Sequence, residues 1–405
     1  MRSRRLEALA FALAALVGCG GGAGDDTSTP SDVGPTLGGG STGGGGPVTK
    51  PPAASSSATL DCGGHGCGVK QIALGTIAAC ALLEDATVAC YGGGIVGTLG
   101  RGAERPAIDP VPRRVPGLKD VAKVFGGGYT MCAVLVNGTV SCWGADQSAN
   151  PYGARPGDRF TVEGLTKVVD LAVSTSHTCA LVDGGELYCF GSNYFGELGD
   201  GTLDNAKRAV KVAGVTGAKH VATGAEVTCA VVADGGVSCW GMNDHGQLGQ
   251  GDEDKLVHTA PLAVSGLAGP ATSVAASSES GAVCALLEAG GSKCWGEKLV
   301  VATGATTGSA LAVGWNHACT LDGAGAVSCW GANTKGQLGG GSNAPVTAAV
   351  SVNGLRGAQL LTSGGNSSCV LLGEGSFACW GDDSRGQLGS GQIGPIEPLP
   401  QTRHF

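Results

Sequence analysis

The chain has 405 residues, a formal net charge of −8 and only 14% charged side chains, with 75 glycines and 17 cysteines. Net negative charge disfavours nucleic acid and anionic membrane surfaces as partners, and the glycines lack the every-third-residue period of collagen. With 42% apolar residues and no sustained helical periodicity after the first 20 positions, the composition calls for short strands joined by tight turns, an all-β fold. One locally basic stretch (Arg101, Arg105, Arg113, Arg114, Lys119 and Lys123) is interrupted by Glu104, Asp109 and Asp120 and reads as solvated surface.

The chain begins with Arg2, Arg4 and Arg5, followed by an apolar run from Ala8 to Val17 that is too short for a permanent membrane span. Leu16-Val17-Gly18-Cys19 resembles the bacterial lipobox. That resemblance implies a signal peptide over 1–18 and lipidation at Cys19, with several acyl chains giving a stable anchor. Gly20 next to the cysteine implies the outer membrane in that pattern, and hence an exported protein of the cell envelope. Residues 19–59 are a Gly/Ser/Thr/Pro-rich tether with almost nothing to bury; about forty such residues span roughly 35 Å.

From residue 60 onward cysteines recur in pairs ten residues apart. Cys80 is followed by Cys90, Cys132 by Cys142, Cys179 by Cys189 and Cys229 by Cys239. Cys284 is followed by Cys294, Cys319 by Cys329 and Cys369 by Cys379. Turn residues such as Asn137-Gly138 and Asp183-Gly184-Gly185 lie midway between them, which is a hairpin signal. In a symmetric hairpin the two cysteines face each other at about 4.5–5.5 Å between Cα atoms, within disulfide reach. A bridge across so small a ring contributes roughly 2.5 kcal/mol, and an exported protein occupies an oxidising compartment. Each second cysteine precedes an aromatic and a glycine, from Tyr91-Gly92 to Trp380-Gly381. Strand alternation turns that aromatic away from the cysteine, and it is expected to pack between neighbouring sheets. Cys62 and Cys67 are expected to form a further disulfide near the start of the domain, a metal site with His65 being the weaker alternative.

After the aromatic-glycine come loops such as "NYFGELGDG" (193–201), "NDHGQLGQG" (243–251) and "NTKGQLGGG" (333–341), then two further strands before the next hairpin. Four strands per unit at a spacing of about 48 residues suit a β-propeller. The string "SCWGANTKGQLGGG", preceded by "HACTL", resembles the regulator-of-chromosome-condensation repeat family, and the likeness runs over about residues 69–400. It implies a seven-bladed propeller of four-stranded blades over residues 60–405. Unit two departs from the pattern after Trp143, and unit five departs further, with Trp295-Gly296 running into "EKLVVATG". The first unit lacks a preceding Pro/Val strand, whereas "GPIEPLPQ" (394–401) resembles one, so the C-terminal strand is expected to close the first blade.

No catalytic motif, metal-ligand spacing or cofactor-binding signature stands out; the expectation is a non-enzyme with no cofactor and no metal. His177 and His317 occupy a repeated strand position and are expected to make structural hydrogen bonds. Within the loops, variable residues sit at matching places: Tyr194, Phe195, Asp244, His245, Lys335 and Arg385. Variable side chains on a rigid repeated frame make a binding face. The expected partner is an unidentified protein or polysaccharide, with membrane contact through the lipid anchor, no nucleic acid, and a monomeric state. The alternative is an extracellular hydrolase or lyase using the central face of the propeller.

Overall fold

The computed structural model describes Leu60 and residues 67–405, apart from 103–105, 145–157, 252, 297–307, 345 and 347. The expectations for Cys19, the tether, Cys62 with its bridge to Cys67, His65, and the atypical segments after Trp143 and Gly296 lie outside the described residues.

Seven antiparallel sheets follow one another along the chain. Blade 1 consists of Val69–Leu74, Ala78–Leu83, Val88–Gly93 and Ile108–Arg114, and blade 2 of Val121–Gly127, Thr130–Leu135, Val140–Gly144 and Phe160–Thr161. Blade 3 consists of Val168–Val173, His177–Val182, Leu187–Gly191 and Ala206–Lys211, and blade 4 of His220–Thr223, Val227–Val231, Val237–Met242 and Val257–Ala263. Blade 5 has three strands among the described residues: Ala271–Ala276, Val283–Leu287 and Ser292–Trp295. Blade 6 consists of Ala310–Val313, His317–Leu321, Val327–Gly331 and Val350–Ser351, and blade 7 of Leu360–Gly364, Ser367–Leu371, Phe377–Asp382 and Ile396–Arg403. The first strand of each blade touches the first strands of the blades before and after it, and blade 7 returns to blade 1. The result is an all-β, seven-bladed propeller with its first strands around the axis.

Within each blade the second and third strands form the cysteine hairpin. Cys80 stands opposite Cys90 in blade 1, Cys132 opposite Cys142 in blade 2, and Cys179 opposite Cys189 in blade 3. Cys229 faces Cys239 in blade 4 and Cys284 faces Cys294 in blade 5. Cys319 faces Cys329 in blade 6, and Cys369 faces Cys379 in blade 7. The sulfurs stand at disulfide distance in all seven pairs, from 2.00 Å in Cys284–Cys294 to 2.13 Å in Cys229–Cys239. One detail differs from expectation. The Cα atoms are 4.1 Å apart in Cys80–Cys90, Cys319–Cys329 and Cys369–Cys379, and 4.0 Å apart in Cys132–Cys142. That is closer than the about 4.5–5.5 Å of ordinary opposed residues.

The residue opposite each aromatic is the one before the first cysteine, as with Thr228 and Trp240 or Ser368 and Trp380. The aromatic therefore crosses to the neighbouring blade: Trp143 packs in the blade 1 cluster, Trp240 in that of blade 3 and Trp380 in that of blade 6.

The outer strand requires a correction. Ile396–Arg403 pairs with Phe377–Asp382, so the C-terminal strand completes blade 7 rather than blade 1. Blade 1 is already complete, because Ile108–Arg114 pairs with Val88–Gly93. The physical reason is that the loop after each hairpin is short enough to return the chain to the hairpin's own free edge, which needs hydrogen-bond partners before the next blade begins. Prolines such as Pro112, Pro261 and Pro398 suit these outermost strands, where one edge faces no partner strand. The two ends of the folded ring still meet. The Cys67 amide donates to the Phe405 carbonyl at 2.9 Å. Phe405 also packs edge-on against Tyr91 of blade 1 and Phe377 of blade 7, at centroid distances of 5.5 and 4.8 Å.

Candidate functional site

Antiparallel order places the links between first and second strands on the same face as the loops after the third strands, and the cysteine-hairpin turns on the opposite face. The former is the loop face. Its loops in blades 3, 4, 6 and 7 are built by one repeated set of bonds. In blade 3, Asn193 is fully buried; its Oδ1 accepts the Leu198 amide at 2.9 Å, and Glu197 Oε2 accepts the Phe195 amide at 2.9 Å. The same bonds recur from Asn243 to Leu248 and Gln247 to His245, from Asn333 to Leu338 and Gln337 to Lys335, and from Asp383 to Leu388 and Gln387 to Arg385. The repeated Asn and Gln thus fix the turn from inside and leave the two residues between Asn and Gly to vary.

The remaining motif residues fasten the loop to the next blade. Leu198 is buried, and the Glu197 carbonyl accepts both the Trp240 indole N–H (2.8 Å) and the Thr228 hydroxyl (2.8 Å) from blade 4. Trp143, Trp295 and Trp380 make the equivalent bond to Thr98, Gln247 and Gln337. Gly199 has φ +67°, and a Cβ there would lie 2.5 Å from Trp240 Nε1, so the last glycine of the motif is required by the indole beside it. His177 Nε2 lies 2.7 Å from Thr228 Oγ1, and His317 Nε2 lies 2.8 Å from Ser368 Oγ, each joining one blade to the next. Burial keeps both imidazoles neutral, down to about 3 for His177 and about 4 for His317. These two histidines hold the ring together and are closed to solvent.

The variable residues lie towards the outer rim of the loop face, because each loop reaches over the outer strand of the next blade: the Gly201 amide donates to Thr259 and that of Gly341 to Pro398. Tyr194 is 68% exposed, His245 is exposed, and Phe195, Asp244, Lys335 and Arg385 are half-buried. His245 Nδ1 lies 2.8 Å from Asp244 Oδ1, which also accepts Gln247 Nε2 at 3.1 Å. Tyr194, Phe195, Asp244 and His245 share adjacent blades 3 and 4, whereas Lys335 and Arg385 share blades 6 and 7, with blade 5 between. Burial first, then the nearby Asp244, raises the Glu226 carboxyl beside this group, and His245 acts the opposite way.

Two aromatic residues escape the repeat-based expectation. Tyr129 (37% exposed) and Trp315 (43% exposed) stand in the links between first and second strands of blades 2 and 6, closer to the axis than the Asn loops. Their sequence signal is a departure from the repeat: the three or four residues before each first cysteine carry an aromatic only at these two places. Below them, a cavity of about 180 Å³ lies between the first strands of blades 7, 1 and 2, lined by Gln71, Phe125 and Thr362 among others. That is smaller than the roughly 300 Å³ where ordinary small-molecule pockets begin.

The architecture defines the chain as a repeat-built β-propeller whose blades are bolted together by aromatic N–H groups and buried loop leucines. Models described as the regulator of chromosome condensation (RCC1) repeat match residues 168–197, 218–247 and 309–337, and also 234–284. These matches fall within blades 3 to 6. It is 31% identical over 140 residues to the human E3 ubiquitin-protein ligase HERC2, a match covering 33% of this chain and 3% of that protein. It is 30% identical over 148 residues to the Bos taurus secretion-regulating guanine nucleotide exchange factor, covering 33% of this chain and 31% of that one. The chain therefore spans a third or less of the length of these two relatives. Among solved structures, Kap60 bound to yeast RCC1 (Prp20) aligns at TM-score 0.51 and 18% identity, over 82% of this chain and 74% of that one. Human WBSCR16 aligns at TM-score 0.51 and 20% identity, over 82% of each chain. At such identities the likeness is one of fold.

Proposed function

We propose that the chain is an exported, lipid-anchored propeller that binds a protein or a surface polymer at the cell envelope through its loop face. The observation that carries this reading is the concentration of irregular, solvent-facing side chains on a face whose repeated residues are all committed to internal bonds. Tyr194, Tyr129 and Trp315 are exposed there, and exposed aromatics on a rigid frame are the residues that dominate binding energy at interfaces. Seven cysteine pairs at disulfide distance, from Cys80–Cys90 to Cys369–Cys379, support an oxidising, extracytoplasmic setting. The lipobox-like Cys19 supplies the anchor, and the Gly/Ser-rich tether holds the propeller off the membrane.

The test is retention of envelope and secreted proteins, and of envelope polysaccharides, on the oxidised chain. A partner held by the native chain and lost on replacing Tyr194, Phe195 and His245 together by alanine supports the loop face as the binding surface. Equal retention by the variant removes the rim of blades 3 and 4 from the proposal.

A further inference from the structure

The link between first and second strands is not the same in every blade. A rung of residues five positions apart closes the link in six blades, as with Leu74 and Ala79 or Val313 and Ala318, and blades 2 and 7 add one tighter rung at Gly127–Thr130 and Gly364–Ser367; in blade 5 the last rung is seven apart, at Ala276 and Val283. The longer link, Ser277 to Ala282, leaves its own blade and crosses the axis. On the far side of the ring, Ser278 Oγ accepts the Gly128 amide of blade 2 at 3.2 Å, and the Ser278 carbonyl accepts the Thr175 hydroxyl of blade 3 at 2.8 Å. The Thr76 hydroxyl of blade 1 bonds the Glu279 carboxyl. At its base, the Ser277 and Ser280 hydroxyls donate to the Trp315 carbonyl of blade 6 at 3.2 and 3.1 Å. One six-residue segment thus ties blade 5 to blades 1, 2, 3 and 6 across the loop-face end of the space ringed by the seven first strands, which is the mouth of the central channel.

We propose that Ser277–Ala282 is a strap sealing that mouth, and that it is released when Glu279 becomes charged, so that exposure of the channel mouth responds to pH. The strap seats Glu279 against groups that carry no charge: Thr76 beside it, and Gly128, Thr175 and Trp315 along the rest of the segment. The other acid in this ring of links, Glu226 of blade 4, is shifted by burial, Asp244 and His245, and not by Glu279. Burial alone pushes the Glu279 carboxyl up to about 7. In an open strap the carboxyl returns to water and ionises near its ordinary 4.5. Opening then releases a proton, so the strap is tightest below about pH 4.5, and the opening constant rises about tenfold per pH unit until the pH reaches about 7. This inference requires no partner and no lipid anchor, and it stands or falls separately from the proposed function.

Hydrogen exchange of the full oxidised chain between pH 4.5 and 8 tests it, read as protection factors for Gly128 and residues 277–282 after correction for intrinsic exchange. Protection that falls about tenfold per unit and levels off near pH 7 is expected, with the Val134 amide in the blade 2 core unaffected. In Glu279→Gln the protection is expected to be high and flat across the range, and in Thr76→Val it is lowered at every pH. A flat profile in the native chain overturns the proposal, as does the same fall in Glu279→Gln. Should Glu279→Gln not fold, the native profile and Thr76→Val still decide: unchanged protection in Thr76→Val rejects the strap.

Discussion

Consider a methyl group added at Gly199. The new Cβ lies 2.5 Å from Trp240 Nε1 and 2.9 Å from its Cδ1 and Cε2, and the backbone there has φ +67°. Holding alanine in the left-handed region costs about 1–2 kcal/mol, and forcing an atom into a filled core costs about 1–3 kcal/mol more. Gly199→Ala is therefore expected to destabilise the propeller by about 2–5 kcal/mol. Trp240→Leu alone removes a fully buried indole and its bond to Glu197, at a cost of about 2–4 kcal/mol. The two costs are not independent, because the clash exists only while the indole is present. In the Trp240→Leu background, Gly199→Ala is expected to cost only its backbone share of about 1–2 kcal/mol. Equilibrium denaturation of the four oxidised proteins gives the coupling energy as a double-mutant cycle. Costs that add to within about 0.5 kcal/mol refute the claim that this glycine is set by the indole, and with it the account of why the Gly-Gln-Leu-Gly motif recurs.

Other outcomes follow from the same structure. The buried imidazoles of His177 and His317 stay neutral in the fold but take a proton near their ordinary 6.5 once unfolded. Their contribution is thus fully present above about pH 6.5 and is lost as the pH falls towards 4, by about 1.4 kcal/mol per unit for each. Comparing the native chain with the paired His177→Gln and His317→Gln variant across this range isolates the effect from Glu279, whose raised carboxyl acts with the opposite sign. Reductant under partially denaturing conditions is expected to lower the melting temperature of the chain, since a bridge across each hairpin would restrain the unfolded state by roughly 2.5 kcal/mol; an unchanged melting temperature with fully titrated thiols contradicts the bridging. Cys19→Ala is expected to move the protein from the membrane to the soluble fraction on cell fractionation, and continued membrane association counts against lipid anchoring.

What is legible in the sequence is what is local. The register of each hairpin is readable because Cys179 and Cys189 stand symmetrically about Asp183-Gly184-Gly185, and a symmetric hairpin has one pairing. The aromatic's role as a packing residue follows from strand alternation, and the structure adds the indole bond to the preceding loop. Assignment of the outer strands is not readable. The alternation of "IEPLPQ" within 396–401 fixes which side chains share a face but not which edge the strand joins, so the frame slips by one strand and the last strand goes to the wrong blade. The strap is hidden for a different reason. "SSESG" (277–281) reads as an ordinary loop; its importance comes from a two-residue excess over the other blades and from the ring, which places blades 1 and 2 opposite blade 5. Tyr129 and Trp315 escape notice likewise, because nearness to the axis is a property of ring geometry and not of any window of sequence.

The central functional claim is that the loop face, and not the hairpin-turn face, meets the partner. The most direct measurement is photo-crosslinking in cells from a probe placed in turn at Tyr194 and Trp315 on the loop face and at Asn137 and Asp183 in the hairpin turns. A common cross-linked species is expected from Tyr194 and Trp315, and none from Asn137 or Asp183. Cross-linking from the hairpin turns alone contradicts that claim.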